Sequence, residues 1–196
     1  MPADLLKELP GYDPDVQKNR AEARHIMEQL GYGPDDRLKI KVSTRDHPDF
    51  RGPAVILIDQ LKEVYFDGEL ETIDTTLYFP KMLRKDYTVA LNASQSGPDP
   101  DPILDVLYRC GSSLNLNGYC NPEVDKLIEQ QSIEADAGRR KPLVWSIERK
   151  LAEDGARPII FYNRYGTCWQ PWVKGLTIMV NSIYNGWRYE DVWLDK

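Results

Sequence analysis

Three carboxylates are the side chains of this sequence best suited to chemistry. Asp99, Asp101 and Asp105 follow one another closely in a run that also holds Pro100 and Pro102. Such a cluster could bind a cation or an ammonium group, especially at the carboxyl end of a strand, where open α/β sheets place their ligands. The same pattern is typical of plain turns, because proline fixes φ and aspartate side chains bond to nearby backbone. The residues alone leave both interpretations open.

Other catalytic patterns have little support. His25 and His47 have no serine, cysteine or aspartate at a spacing that indicates nucleophilic catalysis. The chain has no C-x-x-C pair and no glycine-rich phosphate loop. A metal-dependent hydrolase using the three aspartates is the enzymatic alternative, but it lacks a histidine pair and an activated nucleophile. The sequence therefore favours a protein that is not an enzyme and needs no cofactor.

The composition and charge of the chain restrict the kinds of partner that it can bind. The 196 residues are 41% hydrophobic and 29% charged, which predicts a globular chain with a sizeable core. The net charge is −6 and the one basic cluster, Arg139 to Lys141, is short, so we do not expect a nucleic-acid partner. The longest strongly apolar run, Ala54 to Ile58, is far shorter than the roughly 20 residues that span a bilayer. The N-terminus lacks the pattern of a secretory signal, so an export signal would have to lie upstream or have been removed.

The first half of the chain alternates helical and strand patterns. Apolar spacing, caps and turn residues predict the following elements: a helix from Asp13 to Gly31, a strand Leu38 to Ser43, a helix opening at Pro53, a turn at Asp67-Gly68, a strand Leu70 to Thr76, a short helix around Lys81 and a strand Tyr87 to Ala93. Strand and helix in alternation are typical of a mainly parallel sheet with right-handed crossovers.

The second half is more helical. Asn121-Pro122 predicts a capped helix, and a second helix follows from about Asp136 to Glu153, with Pro142 kinking it or delaying its start. Short apolar runs predict strands at Arg157 to Tyr162 and Leu176 to Val180. The segment from Asn92 to Cys120 fits neither period, so we expect an irregular loop there.

The cysteines and the tryptophans each allow two interpretations. Cys110 and Cys120 bracket a loop rich in Gly, Ser and Asn, and they could form a disulfide or remain two unpaired thiols in a reducing compartment. The last part of the chain holds four tryptophans: Trp169, Trp172, Trp187 and Trp193. They could form an aromatic binding platform, although large aromatic side chains are more often core.

Several stretches together resemble a known family. They are, in order, GYDPD, NRAEARHIMEQLGYGPD, LKIKV, IDQLKEVYFD, DYTVAL, DPD, NGYCNPEVDKLIEQ and RRKPLVWSIERKLAEDGARPIIFYN. In this order they resemble the bacterial extracellular solute-binding proteins of family 5, the dipeptide- and oligopeptide-binding components of ABC importers. The resemblance implies an α/β lobe of the type II periplasmic-binding-protein kind, with a mainly parallel or mixed sheet flanked by helices. Residues 1–165 would be this C-terminal lobe, and residues 166–196 an irregular tail that returns to an N-terminal lobe absent from the chain.

The resemblance also implies where a ligand would lie. In the family two lobes close on the ligand, and an acidic residue just before the DP motif binds the α-ammonium group of a peptide. Here Ser96 occupies that position, and Ala93 lies at or next to the position of a preceding tryptophan. Either Asp99 or Asp101 has taken over, or the ligand has no ammonium group there and Ser96 makes a neutral hydrogen bond. The expected ligand contacts are Asn92, Ser94, Ser96, Asp99, Asp101, Asn115 and Tyr119.

Further expectations follow from the same resemblance. Cys110 and Cys120 correspond to a disulfide of some family members, which leaves Cys168 either buried as a small hydrophobic residue or placed to pair elsewhere. The protein would be periplasmic, would capture a peptide-like solute and would deliver it to the permease subunits of an ABC transporter. The tryptophan-rich tail would pack on the N-terminal lobe. Without that lobe the tail would expose an apolar patch that favours self-association, and the alternative function is an interaction module acting through this tail.

Overall fold

Seven helices and five strands make up the described part of the chain. The computed structural model describes residues 1–94, 99–162, 166–179 and 188–195. The helices are α1 Ala3–Leu6, α2 Val16–Gln29, α3 Pro48–Lys62, α4 Thr75–Leu83, α5 Asp101–Tyr108, α6 Pro122–Ile133 and α7 Ala137–Glu153. The strands are β1 Leu38–Arg45, β2 Phe66–Ile73, β3 Val89–Ala90, β4 Val173–Lys174 and β5 Trp193–Leu194. None of the described helices is long and apolar enough to cross a membrane.

The first three strands form a parallel sheet in the order β2-β1-β3, which confirms the sequence prediction. Val42 of β1 lies opposite Leu70 of β2 and Val89 of β3. On this face the sheet packs against α3, whose Ala54 is fully buried. The alternate side chains of β1 point to the other face, where α4 contributes Tyr78 and Lys81.

A second core lies among the last three helices. Leu104 of α5, Val124 and Ile128 of α6, and Ile147 of α7 are buried together. Among the described elements, α5 packs on α6 and α6 packs on α7, whereas α3 and α4 pack on the sheet. The chain therefore holds two hydrophobic cores joined by the segment between β3 and α5.

Several element boundaries differ from the prediction. The N-cap of α2 is Asp15, whose carboxylate accepts from the backbone N–H of Lys18 at 3.0 Å, and not Asp13. Helix α3 begins at Pro48, capped by His47, and contains Pro53. The predicted turn at Asp67-Gly68 is wrong, because both residues lie inside β2. A Cβ added at Gly68 would lie 3.1 Å from the side chain of Ile58, so this glycine allows α3 to approach the strand.

The expectation of an irregular loop from Asn92 to Cys120 is wrong in part, since α5 occupies Asp101–Tyr108. Proline is tolerated in the first turn of a helix, where its missing N–H has no intrahelical partner. Pro102 lies in that first turn. The carboxylate of Asp99 accepts from the backbone N–H of Asp101 at 2.9 Å. The Asp-Pro repeat therefore starts a helix here.

Two predicted strands do not form. Residues 157–162 have no strand pairing and 158–162 are exposed, and 176–179 also have no strand, while Val180 lies outside the described residues. An apolar run becomes a strand only where a neighbour completes its backbone hydrogen bonds. The observed tail strands are instead β4 and β5, an antiparallel pair. Trp169, Trp172 and Trp193 are exposed, so the core interpretation is wrong for these three, and Trp187 lies outside the described residues.

Candidate ligand-binding site

The carboxyl ends of the three parallel strands lie along one edge of the sheet. Strand β1 ends at Arg45, β2 at Ile73 and β3 at Ala90. After β3 the chain continues one step along β1, because the N–H of Leu91 donates to the carbonyl of Ser43 at 2.9 Å. This edge is where open parallel sheets bind ligands, and Arg45 and Asn92 are its polar side chains that contact each other.

Arg45 lies among aromatic rings. Its guanidinium carbon is 4.0 Å from the ring centre of Phe50, 5.1 Å from that of Phe79 and 5.4 Å from that of Tyr78. Cation–π attraction favours a guanidinium within about 6 Å of such rings. Helix α3 supplies Phe50 in its first turns, and α4 supplies the other two rings. The adjacent elements β1 and α3 and the more distant α4 thus hold one cation at the sheet edge.

The guanidinium keeps unused hydrogen-bonding capacity. Its Nη2 donates to the side-chain oxygen of Asn92 at 3.0 Å. Its Nε is buried and has no hydrogen-bond partner among the described residues. Arginine has five N–H donors in a planar fork that fits a carboxylate or a phosphate. The arrangement can therefore bind an oxyanion beside aromatic rings.

Tyr78 fixes the position of this cluster. It is fully buried, and its hydroxyl donates to the carbonyl of Leu91 at 2.5 Å. Burial raises the pKa of the Tyr78 hydroxyl to about 12, although the nearby Arg45 opposes this shift. The phenol therefore stays neutral at physiological pH and links α4 to the residues that follow β3.

Arg45 and its rings were not predicted from the sequence. The available signal was a basic residue at the end of an alternating strand, followed after a short turn by an aromatic residue in a helix N-terminus. The predicted residue Asn92 does lie here, bonded to Arg45. Ser94 is exposed at the same edge, and Ser96 lies outside the described residues, so their contacts with a ligand stay predictions.

Asp99 and Asp101 are bonded to helices of the second core. Both oxygens of Asp99 accept from Arg140 of α7, at 2.6 and 2.8 Å. Asp101 accepts from the buried side-chain amide of Gln131, whose oxygen accepts from Nε of Arg140 at 3.0 Å. Hydrogen bonds from Arg140 and from the backbone lower the pKa of Asp99 to about 2. A ligand ammonium group at these carboxylates would have to share them with this network.

Asp105 does not share the hydrogen-bond partners of Asp99 and Asp101. It accepts from Arg109 at 2.9 Å, and Arg109 also bonds to Glu129 of α6. The described residues contain no group of three or more His, Cys, Asp or Glu side chains that could hold a metal ion. The geometry of the described chain gives the hydrolase alternative no metal centre.

The predicted disulfide between Cys110 and Cys120 is confirmed. Inside its loop, Asn115 is buried, and its amide donates to the carbonyls of Arg109 at 3.1 Å and Tyr119 at 2.6 Å. The hydroxyl of Tyr119 donates to Asp154 at 2.6 Å, and burial together with this bond raises its pKa. Asn115 and Tyr119 therefore brace the loop against α7. Whether they also contact a ligand stays a prediction.

Comparisons with known proteins agree with this fold. No protein-family model matches the chain. The chain is similar to the dipeptide-binding protein DppE of Bacillus subtilis (26% identical over 159 residues, 76% of this chain and 28% of DppE). It is also similar to the nickel-binding protein NikA of Staphylococcus aureus (23% identical over 171 residues, 86% of this chain and 35% of NikA). The chain spans about a third of the length of these relatives.

A solved structure shows the same fold over almost the whole chain. The complex of Haemophilus influenzae OppA with RPPGFSPFR matches 98% of this chain and 38% of OppA, with a TM-score of 0.78 and 21% identity. Its similarity supports the lobe architecture expected from the sequence. In its ordered motifs and its curated relatives the chain is similar to the family 5 extracellular solute-binding proteins, and it shares the fold of the OppA structure.

Proposed function

We propose that this chain is part of the substrate-binding component of an ABC importer, and that it captures a small peptide-like solute for a membrane permease. Its curated relatives are named as binding proteins for a dipeptide and for nickel, and the OppA structure holds a peptide. These names support a binding protein over an enzyme. The disulfide fits an extracytoplasmic location, because such bonds persist in oxidising compartments.

One observation carries the proposal: a partly unpartnered guanidinium at the ligand edge of a parallel sheet. Arg45 is oriented by Asn92 and surrounded by Phe50, Tyr78 and Phe79. A carboxylate can bind such a guanidinium through charge-assisted hydrogen bonds. Phe50 and Phe79 would then contact the apolar part of the solute next to that carboxylate. We assign Arg45 to the terminal carboxylate of the ligand.

The opposite end of the ligand has weaker support. Asp99 and Asp101 already bond to Arg140 and Gln131, so neither is an unpaired carboxylate waiting for an ammonium group. Ser96 carries no charge. We therefore propose that recognition of a free ammonium group contributes little, and that the solute is held mainly through its carboxylate.

The domain arrangement belongs to the same proposal. Residues 1–165 would form one wall of the binding cleft, and residues 166–196 would pack on a second lobe. The exposed Trp169, Trp172 and Trp193 support a contact outside this chain. A single wall binds weakly, because a cleft buries most of the ligand surface only when both walls are present.

The test uses thermal shifts with matched tripeptides that have a free C-terminus, a C-terminal amide or an acetylated N-terminus. A ligand that binds only the native state stabilises it by mass action. We expect stabilisation by the free and the acetylated peptides and much less by the amide. Arg45→Gln should remove the difference between acid and amide. Arg51→Gln is the matched control, since Arg51 is exposed and pairs with Asp46. Equal stabilisation by acid and amide would refute the role of Arg45.

The exposed tryptophans also favour a second candidate, an interaction module formed by the tail. The three exposed indole rings, Trp169, Trp172 and Trp193, present apolar surface that a partner protein could cover. Sedimentation of the chain with and without residues 166–196 tests it. A monomer in both cases, with the fold retained, would refute self-association through the tail.

A further inference from the structure

A recess of about 410 Å³ opens on the polar face of the sheet, beside the C-terminal end of α4. The two long strands contribute Lys41, Ser43 and Glu71 to its lining, and the end of α4 with the residues after it contributes Lys81, Lys85 and Asp86. The volume lies within the range of small-molecule sites. Three of these side chains are cationic and two are acidic, so the recess carries one excess positive charge.

The acid at the base of the recess is already neutralised. Both oxygens of Glu71 accept from the ammonium group of Lys81 at 2.7 Å, and one also accepts from the hydroxyl of the fully buried Ser43 at 2.5 Å. These two partners lower the pKa of Glu71. Glu71 therefore stays ionised and is hydrogen-bonded to Lys81, while Asp86 is the second carboxylate of the lining.

Lys41 and Lys85 are the remaining cations. Within the described residues, neither ammonium group has a carboxylate within 4.0 Å. The Lys85 side chain lies across the disulfide loop, where its Cε is 3.0 Å from the position of a Cβ built on Gly118. Packing against the loop restricts the lysine stem, and Lys85 also lines the recess.

The backbone of Lys85 adds a second observation. It has φ +57°, just after the C-cap of α4, a position where glycine is the usual residue. A side chain in this conformation costs backbone energy. Lys85 therefore lines the recess at a position where its backbone conformation is unfavourable for a side chain.

We propose that this recess is a second binding site, separate from Arg45, which holds the oxyanion group of a small solute between Lys41 and Lys85. Lysine ammonium groups bind phosphate and carboxylate as compact charges without a demand for planar geometry. The site therefore takes either oxyanion. The inference does not depend on the proposed transport function, because it rests on residues outside the Arg45 cluster.

Backbone amide NMR titrations of the whole chain with inorganic phosphate and, separately, with succinate test this. At low salt we expect saturable shifts at Ser43, Glu71 and Thr88, with a Kd on the order of 1–10 mM. Phosphate alone, or succinate alone, would identify which oxyanion the site prefers. Raising the ionic strength should weaken binding, because solvent-exposed charges are screened.

Three variants separate binding from folding. Lys41→Gln should raise the Kd by about fivefold, which is the worth of one unit charge at about 4 Å in water. Lys85→Gly should do the same while keeping or raising the melting temperature, because glycine relieves the left-handed backbone. Lys39→Gln is the matched control: it removes the same charge from the same strand and face but lies outside the lining of the recess, and it should leave the Kd unchanged.

The outcomes are distinct. Amide shifts confined to Arg45 and Asn92 would overturn the proposal of a binding site in the recess and would leave the proposed function intact. Equal losses of anion affinity in Lys39→Gln and Lys41→Gln would show general charge attraction, and they would also overturn the proposed site. Binding of either anion that Lys85→Gly weakens about fivefold in a folded chain, without loss of the Arg45-dependent peptide response, would establish the site.

Discussion

Replacing both disulfide cysteines, as Cys110→Ser with Cys120→Ser, should destabilise the chain mainly through the unfolded state. The bond links residues 10 positions apart, just after α5 and just before α6. In the chain-entropy model, a closed loop of this size contributes about 2.7 kcal/mol at 25 °C. We expect the free energy of unfolding to fall by that amount.

The native loop should survive the loss of the bond. Asn115 holds it from inside, and the N–H of Cys110 donates to Asp125 of α6 at 3.0 Å. The hydroxyl of Tyr119 and the amide of Asn121 both donate to Asp154. Because these bonds remain, the native helices should keep their packing and the change should appear in the unfolded chain.

Urea unfolding followed by circular dichroism measures the effect. The denaturant slope should rise slightly, since the unfolded chain without the cross-link exposes more surface. The melting temperature should drop by roughly 5–11 °C for a chain of this size. Cys168→Ser is the control and should change neither quantity, because Cys168 is exposed and unbonded to another cysteine. A loss below about 1 kcal/mol, or a native state with less helix, would refute this reasoning.

Three further predictions address the core among the last three helices, the sheet edge at Arg45, and Ser96 just before the Asp-Pro repeat. Ile147→Ala leaves a cavity at a fully buried position, so urea unfolding should show a loss of about 2–5 kcal/mol. Tyr78→Phe removes the bond to Leu91 and should cost about 1 kcal/mol at pH 7. In the wild type, the folded pKa of Tyr78 is raised from the ordinary value of 10.0 to about 12. Its contribution to stability is therefore complete below pH 10.0 and is lost as the pH rises toward 12, and unfolding of the phenylalanine variant across this range should lack that loss. Ser96→Asp would place an acidic residue at the position that the family resemblance assigns to ammonium binding, and calorimetry should then show about tenfold tighter binding of peptides with a free N-terminus; unchanged affinity would contradict the placement of the site.

Local patterns in the sequence predicted the parallel sheet and several caps. The alternation in Leu38 to Ser43 predicts β1, and the helical spacing after it predicts α3. These patterns are local, and the strands of a β-α-β unit are neighbours in the sequence, so their parallel pairing could be predicted as well. Asn121 caps α6 as expected, with its side chain accepting from the N–H of Glu123 at 3.0 Å. The disulfide was implied by the family resemblance, while spacing alone left it open.

Contacts between distant residues were not predictable in this way. Phe50 follows Arg45 closely in the sequence, but no spacing reveals that residues of α4 and the end of β3 join them. The acidic turn contains the residues expected to bind a ligand, yet Asp99 bonds to Arg140, which lies far along the chain in α7. The apolar run at residues 157–162 indicated a strand, but a strand also needs a neighbour that the sequence pattern does not specify.

The two hydrophobic cores predict that the chain unfolds locally in two separate units. Val42 and Ala54 are protected by the sheet core, and Val124 and Ile147 by the helical core, with few contacts between the two sets among the described elements. Hydrogen exchange reports the opening of such units separately. A solute gripped by Arg45 would slow exchange in β1 and leave α6 unaffected, so the amides that slow down reveal which half of the chain the solute holds.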